Sequence, residues 1–389
     1  MVAFTWSIET FEGKENIGKA FAKTAPAAAP HSWAVDGSPG IGSDGETECW
    51  LAFQTAAGRG KAHVRLDSNG KAITLATSLR ELEGRPFATG RRRALGHPCE
   101  NVSEISQPRP GRRYWHERRA ASMPSALGGE AEDPYVLIIG SGQAGLSLGA
   151  RLKLLGVPYV CVEKHPRVGD SWRARYPGLL LHDPVWYDHL PYIPFPESWP
   201  VFTPRDKVAD WLEFYSKAMD LNVALNTSVV GALPPSEIDE SDAQAWTVLV
   251  KRGNAGEAST VAGLEEAVLR PTHVVFATGM SGYPRVPEPP GAFDGERMHS
   301  SAYRGAGGGC FAGRRAVVVG SNTSAHDICQ DLWEQGAASV TMLQRSAGLV
   351  VSEESILEIG MKALYSEDAR ERTAPASRTL PPLASVPLP

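Results

Sequence analysis

Tyr135-Val-Leu-Ile-Ile-Gly140-Ser-Gly142-Gln-Ala-Gly145 is an apolar run that breaks into a glycine turn and then continues in helix-compatible residues through Leu155. The order predicts a strand, a tight turn and a helix start, and Tyr159-Val-Cys-Val-Glu163 supplies a second strand after it. Strand, helix and strand in this spacing form a β-α-β unit with parallel strands. Gly140 permits the tight turn, Gly142 admits backbone N–H groups to a pyrophosphate, and Gly145 lets helix and strand pack closely. The helix N-terminus then stabilises phosphate charge, and Glu163 is placed to accept hydrogen bonds from ribose hydroxyls, which favours an unphosphorylated ribose.

A second strand-turn-helix runs from Ala316-Val-Val-Val-Gly320 through Trp333, followed by the strand Val340–Leu343. Its turn reads Gly320-Ser321-Asn322-Thr323-Ser-Ala325-His-Asp327, with Asn322 in place of the middle glycine. Asparagine tolerates unusual backbone angles, so the turn survives, but its side chain narrows the approach of a pyrophosphate. The following strand ends in Gln344-Arg345, where an acid would favour NAD; Arg345 can instead pair with a 2′-phosphate, which points to NADP. Between the two turns lie strand candidates Trp246–Val250 and His273–Phe276. The expected fold class is α/β, with two Rossmann-type dinucleotide-binding units.

Outward from this centre, residues 1–85 alternate in short runs (Trp50–Phe53, Ala62–Leu66, Ala72–Leu75) between turn signals, after one helix expected over Lys14–Lys23. They predict a small α+β domain built on a curled meander. Residues 86–130, rich in Arg, Pro, Gly and Ser, read as a linker with a helix candidate around Tyr114–Ala121; its Arg91-Arg92-Arg93 run reads as a solvated face or a contact for an anionic partner. The expected domains continue with 131–300 for the first dinucleotide unit and 301–365 for an incomplete second one. Residues 366–389, ending in prolines, read as a disordered tail.

The chain has 389 residues, 42% of them hydrophobic, so several domains and sizeable cores are expected. A net charge of −5 gives no case for nucleic acid, and no apolar window is long enough for a membrane span or a signal peptide. A soluble cytoplasmic protein is the expectation. Cys49, Cys99, Cys161, Cys310 and Cys329 form no C-x-x-C pair, which argues against a disulfide framework or dithiol redox chemistry. The histidines show no paired ligand spacing, so no metal is expected; Asp183, Asp188 and His189 are read as structural or substrate-contacting.

One further stretch is specific. Phe293-Asp-Gly295-Glu-Arg-Met-His299-Ser-Ser-Ala-Tyr303-Arg304, preceded by Ala277-Thr278-Gly279, resembles the F-x-G-x-x-x-H-x-x-x-[Y/W] fingerprint of class B flavin monooxygenases, closer to the YUCCA-type and N-hydroxylating branch than to the Baeyer-Villiger branch. Gly169-Asp-Ser-Trp172-Arg173 resembles the family's flavin-contact segment, and Leu181-His182-Asp-Pro184 with Pro194-Phe195-Pro196 resembles the stretch after it; His182 stands where animal N-oxygenating members carry an active-site Asn. Residues 1–85 are similar to part of an NTF2-like cone. The resemblance covers about residues 134–365 and implies more protein at both ends, so the chain is expected to be truncated.

The resemblance implies FAD on Gly140, Gly142, Gly145, Glu163, Gly169, Trp172, Arg173 and Gly279, and NADPH on Gly320, Ser321, Asn322, Thr323, Ala325 and Arg345. It implies hydride transfer to flavin, a C4a-hydroperoxyflavin, and transfer of one oxygen of O2 to a small organic substrate by N- or S-oxygenation or oxidative decarboxylation. His299, as a coupling residue, and His182 are its catalytic candidates. A homodimer is the expected self-association. Two other readings stay open: an NADPH oxidase or flavin reductase without substrate oxygenation, and a truncated, non-catalytic FAD-binding protein.

Overall fold

The computed structural model describes residues 1–5, 7, 9–41, 45–87, 90–93, 111–235, 245–253, 265–280 and 282–357. Cys99, Ser281 and the tail 366–389 lie outside the described residues. The fold is mixed α/β, in two compact units, one within Met1–Gly96 and the other within His97–Ser366.

The first unit is a seven-stranded sheet. It comprises β1 (Val2–Ala3), β2 (Thr10–Phe11), β3 (His31–Val35), β4 (Gly40–Ile41), β5 (Thr47–Thr55), β6 (Gly58–Leu66) and β7 (Ala72–Leu82), with α1 (Lys14–Ala28) after β2. All pairings are antiparallel except β1 with β7. The three central strands run longer than their apolar cores predict, because polar residues such as Gln54, Arg59 and Lys61 occupy the alternate face and continue the ladder. Likewise α1 runs past Lys23, as alanines carry the helix to Ala29, whose backbone turns left-handed at φ 44°. Phe53 is buried against Gly60, where an added Cβ would stand 2.3 Å from the ring, and Trp33 stacks on Phe53 at 4.5 Å. Arg92, from the arginine run, bonds Glu81 at 3.0 Å.

The second unit starts with α2 (Trp115–Ala121), where Arg119 donates to the Leu221 carbonyl and to Asn222. A parallel sheet in the order β10-β9-β8-β14 follows, formed by β8 (Val136–Ile139), β9 (Tyr159–Val162), β10 (Val223–Ala224) and β14 (His273–Phe276). Between them run α3 (Gln143–Leu154), α4 (Asp170–Arg173) and α5 (Arg205–Ala218). An antiparallel sheet of β11 (Thr227–Leu233), β12 (Thr247–Arg252) and β13 (Glu265–Leu269) completes this part.

Successive residues of β8 serve opposite faces. Ile138 packs with Leu146 and Ala150 of α3 and with Val208, Leu212 and Tyr215 of α5, while Leu137 packs with Val248, Val250 and Leu269 of the antiparallel sheet. A strand covered on both sides must be apolar throughout, which is why this segment reads Val-Leu-Ile-Ile. Truncating Leu137 to alanine would cost about 2–5 kcal/mol.

A last β-α-β element consists of β15 (Arg315–Val319), α6 (Thr323–Glu334) and β16 (Ser339–Leu343), with β15 and β16 parallel. Ile328 and Leu332 of α6 are buried in a third cluster with Tyr176, Leu179, Tyr303 and Ala306.

Candidate functional site

The β8–α3 turn has two glycines that the chain itself requires. Gly140 sits at φ 103° with the Ala277 carbonyl 2.5 Å from where a Cβ would stand, and a Cβ on Gly145 would come within 2.0 Å of the Gly140 carbonyl. Gly142 differs, since a Cβ there would meet nothing within 4 Å and its φ of −73° is open to any residue. It precedes α3 and, having no side chain, leaves the first N–H groups of the helix without a side-chain cap. These residues fit a pyrophosphate. Gly279, at φ 79° and open on its Cβ side, follows the Ala277 that packs on Gly140.

Glu163 closes the turn. Its Oε2 accepts from the Ser141 amide and hydroxyl at 3.0 Å each, and its Oε1 meets the His165 amide at 3.0 Å and the His165 ring Nδ1 at 2.7 Å. Burial opposes its ionisation, but the Ser141 and His165 hydrogen bonds outweigh this and hold the carboxyl below its ordinary range. Glu163 is thus an anion already engaged in four hydrogen-bond contacts with Ser141 and His165.

In the segment after β9, Gly169 and Arg173 each have contacts of their own within the fold. Gly169 (φ 89°) is required by α5, whose Ala209 carbonyl lies 2.4 Å from its Cβ position. Arg173 donates to Asp170 at 3.0 Å, Asp210 at 2.8 Å and Glu213 at 2.9 Å, so its guanidinium ties α4 to α5. Trp172 bridges the first and third apolar clusters.

In the second turn, Gly320 takes φ 132° and Ala325 is buried beneath it. Asn322 has φ −90° and ψ 174°, the extended conformation Gly142 also shows, so no unusual backbone is tolerated there. Its side chain instead accepts from the Thr323 amide at 2.9 Å and caps α6. One helix N-terminal donor is therefore already satisfied, and α6 offers a phosphate less than α3 does. Ser321 is half-buried and Thr323 exposed; Arg345 is exposed beyond β16, in no ion pair among the described residues.

The two dinucleotide elements meet at α6. Tyr176, three residues after Arg173, donates its hydroxyl to Asp327 Oδ2 at 2.7 Å, and His182 Nε2 lies 3.6 Å from the same oxygen. One turn along the helix, Tyr303 donates to Asp331 Oδ2 at 2.5 Å, which also accepts the Ala306 amide at 2.9 Å. Burial, and with it the Asp327 carboxylate, push the Tyr176 hydroxyl up to about 12 against a lowering hydrogen bond with Ser324; burial and Asp331 raise Tyr303 further. Both phenols are neutral donors at ordinary pH. His299 turns onto its own segment, its Nδ1 accepting from the Ser301 amide at 3.1 Å and capping the turn Ser300–Ala302.

Tyr176, Asp327 and Asp331 were not singled out by motif reasoning. A legible signal existed, since two aspartates four apart on a helix whose Ile328 and Leu332 are apolar share a face at its buried edge. Among the described residues no helix is long and apolar enough to cross a membrane, and no group of three or more His, Cys, Asp or Glu gathers as for a metal ion.

Residues 186–362 match the flavin-binding monooxygenase-like family and residues 133–177 an FAD binding domain family. Over those segments the chain is similar to flavin-binding monooxygenases. The rice (Oryza sativa subsp. japonica) "Indole-3-pyruvate monooxygenase YUCCA4" is 33% identical, over 61% of this chain and 55% of its own length. "Probable indole-3-pyruvate monooxygenase YUCCA3" of Arabidopsis thaliana is 31% identical, over 58% of this chain and 50% of its own. The chain thus spans about half the length of the curated relatives it matches. A solved flavin-containing monooxygenase from Stenotrophomonas maltophilia aligns with a TM-score of 0.48 at 23% identity, over 57% of this chain and 60% of that one.

Proposed function

We propose that the protein is a monooxygenase that uses FAD and NADPH to place one oxygen atom of O2 on a small organic substrate, by N- or S-oxygenation or oxidative decarboxylation. The observation that carries this reading is the Gly140–Gly145 turn, where Gly142 alone faces open space. The backbone of that turn, the N-terminus of α3 and Glu163 hold the FAD; the Gly320–Ala325 turn and Arg345 hold the NADPH. Bound FAD supplies hydride acceptance and O2 activation. The chain's own part is to position and to shield: the turn fixes the pyrophosphate, Trp172 and the apolar clusters keep water from the protein side, and Tyr176 and Tyr303 stay protonated donors. The finer assignments belong to the same reading: Rossmann-type units over 131–300 and 301–365, an NTF2-like domain over 1–85, a homodimer and a cytoplasmic site.

A second reading, an NADPH oxidase releasing hydrogen peroxide, is favoured by the exposure of Phe276 and Met280 around Gly279, which lets water reach the mouth of the flavin turn. The test is NADPH oxidation and peroxide release by the FAD-loaded protein across a panel of amines, thioethers and 2-oxo acids. A substrate that consumes NADPH without peroxide supports the oxygenase; peroxide equal to NADPH in every case supports the oxidase. FAD-loaded protein that leaves NADPH untouched removes both.

A further inference from the structure

The second β-α-β element could rest on the first through apolar packing alone, but two segments of chain converge on α6 through directed polar contacts, and a third contact ties those segments together. The first is the segment after α4, which brings Tyr176 to Asp327 at 2.7 Å. The second is the end of the fingerprint stretch, which brings Tyr303 to Asp331 at 2.5 Å. The third contact joins these two segments to each other: Arg304 donates to the Ala174 carbonyl at 3.2 Å, and Gly305 lies against Pro177, whose ring carbons are 3.4 Å from its Cβ position. Beneath them the six side chains of the third cluster form one core. Apolar surfaces slide past one another at little cost, whereas a hydrogen bond to a carboxylate fixes distance and direction.

We infer that Tyr176 and Asp327, seconded by Tyr303 and Asp331, form a latch that sets the register of α6, and so the position of the Gly320–Ala325 turn, against the flavin-binding element. Asp327 stands one turn into the helix that this glycine turn opens, so anchoring its carboxylate anchors the turn as well. Tyr176 stands on the chain that continues from Trp172, which packs into the core behind the Gly140–Gly145 turn. The latch therefore connects the two turns through the first turn of α6 on one side and the packing of Trp172 on the other, with the Tyr176–Asp327 hydrogen bond between them. His182, 3.6 Å from the shared Asp327 oxygen, is too distant to bond it and acts as a charged neighbour when protonated. In this arrangement Tyr176 and Asp327 are positioning residues.

The inference rests on the proposed FAD and NADPH turns for its consequence, but the latch is testable without either nucleotide. Hydrogen exchange on the purified full chain is followed in residues 174–182 and 323–334 for Tyr176→Phe, Asp327→Ala and Asp327→Asn. Loss of one hydrogen bond to a carboxylate predicts about tenfold faster exchange of both segments in the first two variants. Asp327→Asn still accepts from Tyr176 and is expected within about threefold of the parent chain. Unchanged exchange in Tyr176→Phe and Asp327→Ala overturns the latch. The second readout is NADPH bleaching of bound flavin, taken per flavin. Misplaced turns lower the rate at saturating NADPH by about tenfold or more while KM stays near the parent value, and Asp327→Asn restores the rate. A role in folding alone lowers flavin content and leaves the rate per flavin unchanged, which contradicts the inference. Protein that takes up no flavin counts against the cofactor reading, and hydrogen exchange then decides the latch by itself.

Discussion

Buried Tyr303 is paired with half-buried Asp331: the phenol donates to Oδ2 at 2.5 Å, and the same oxygen takes the Ala306 amide at 2.9 Å. Hydrogen bonds to a charged acceptor contribute about 1.5–3 kcal/mol. Tyr303→Phe keeps the ring in the third cluster and removes only the donor, so the urea midpoint is expected to fall by the equivalent of about 2 kcal/mol. Asp331→Ala should lose more, because it strands both the phenol and the Ala306 amide. Equal midpoints for Tyr303→Phe and the parent chain would show that the pair adds nothing.

The glycines of the first turn separate packing from ligand approach. Gly145→Ala forces a methyl to within 2.0 Å of the Gly140 carbonyl and should lower stability by several kcal/mol, on the order of a severe overpacking change. Gly142→Ala meets no atom within 4 Å, so stability should hold within about 0.5 kcal/mol while FAD affinity drops. Thermal melts paired with FAD titration check both, and a Gly142→Ala protein with parental FAD affinity would remove that glycine from the site.

Asn322 invites the reverse substitution. Glycine at this position forfeits the bond to the Thr323 amide at 2.9 Å, yet a cap changed to glycine costs only a few tenths of a kcal/mol. Asn322→Gly also opens the α6 N-terminus, so NADPH should bind more tightly; Asn322→Ala, at about 1 kcal/mol, should lose stability without that gain. Isothermal titration with NADPH separates the outcomes.

Glu163 carries the pH dependence. Its folded-state pKa is depressed below the ordinary glutamate value by the Ser141 and His165 hydrogen bonds, so its contribution is present above the ordinary value and is lost as pH falls through the lower folded value. Unfolding free energy should therefore decline on acidification below about pH 4.3, the ordinary glutamate range, and Glu163→Gln should flatten that decline. Urea unfolding from pH 3 to pH 7, on the order of ten points, would reveal an unflattened slope if Glu163 were not the titrating group.

The first β-α-β unit was legible because three constraints agree there: an apolar strand, glycines at the required spacing, and an acid closing the next strand. His273–Phe276 matched its observed bounds for a similar reason, being a short β-branched run before Ala277-Thr278-Gly279. Helix α5 was not read, although Val208, Trp211, Leu212 and Tyr215 recur at helical spacing and all are buried. Asn322 was explained by backbone tolerance, yet the position is extended; only the cap geometry identifies its role. The Tyr176–Asp327 contact joins residues 151 apart in sequence, a separation at which local pattern carries no information about pairing.

The central claim is that the Gly140–Gly145 turn holds FAD. Fluorescence titration of the purified chain with FAD tests it most directly, run beside Gly142→Ala. The account predicts saturable binding of one FAD per chain that weakens sharply in the variant. A folded parent chain that fails to bind FAD, or binds it no better than Gly142→Ala, would contradict it.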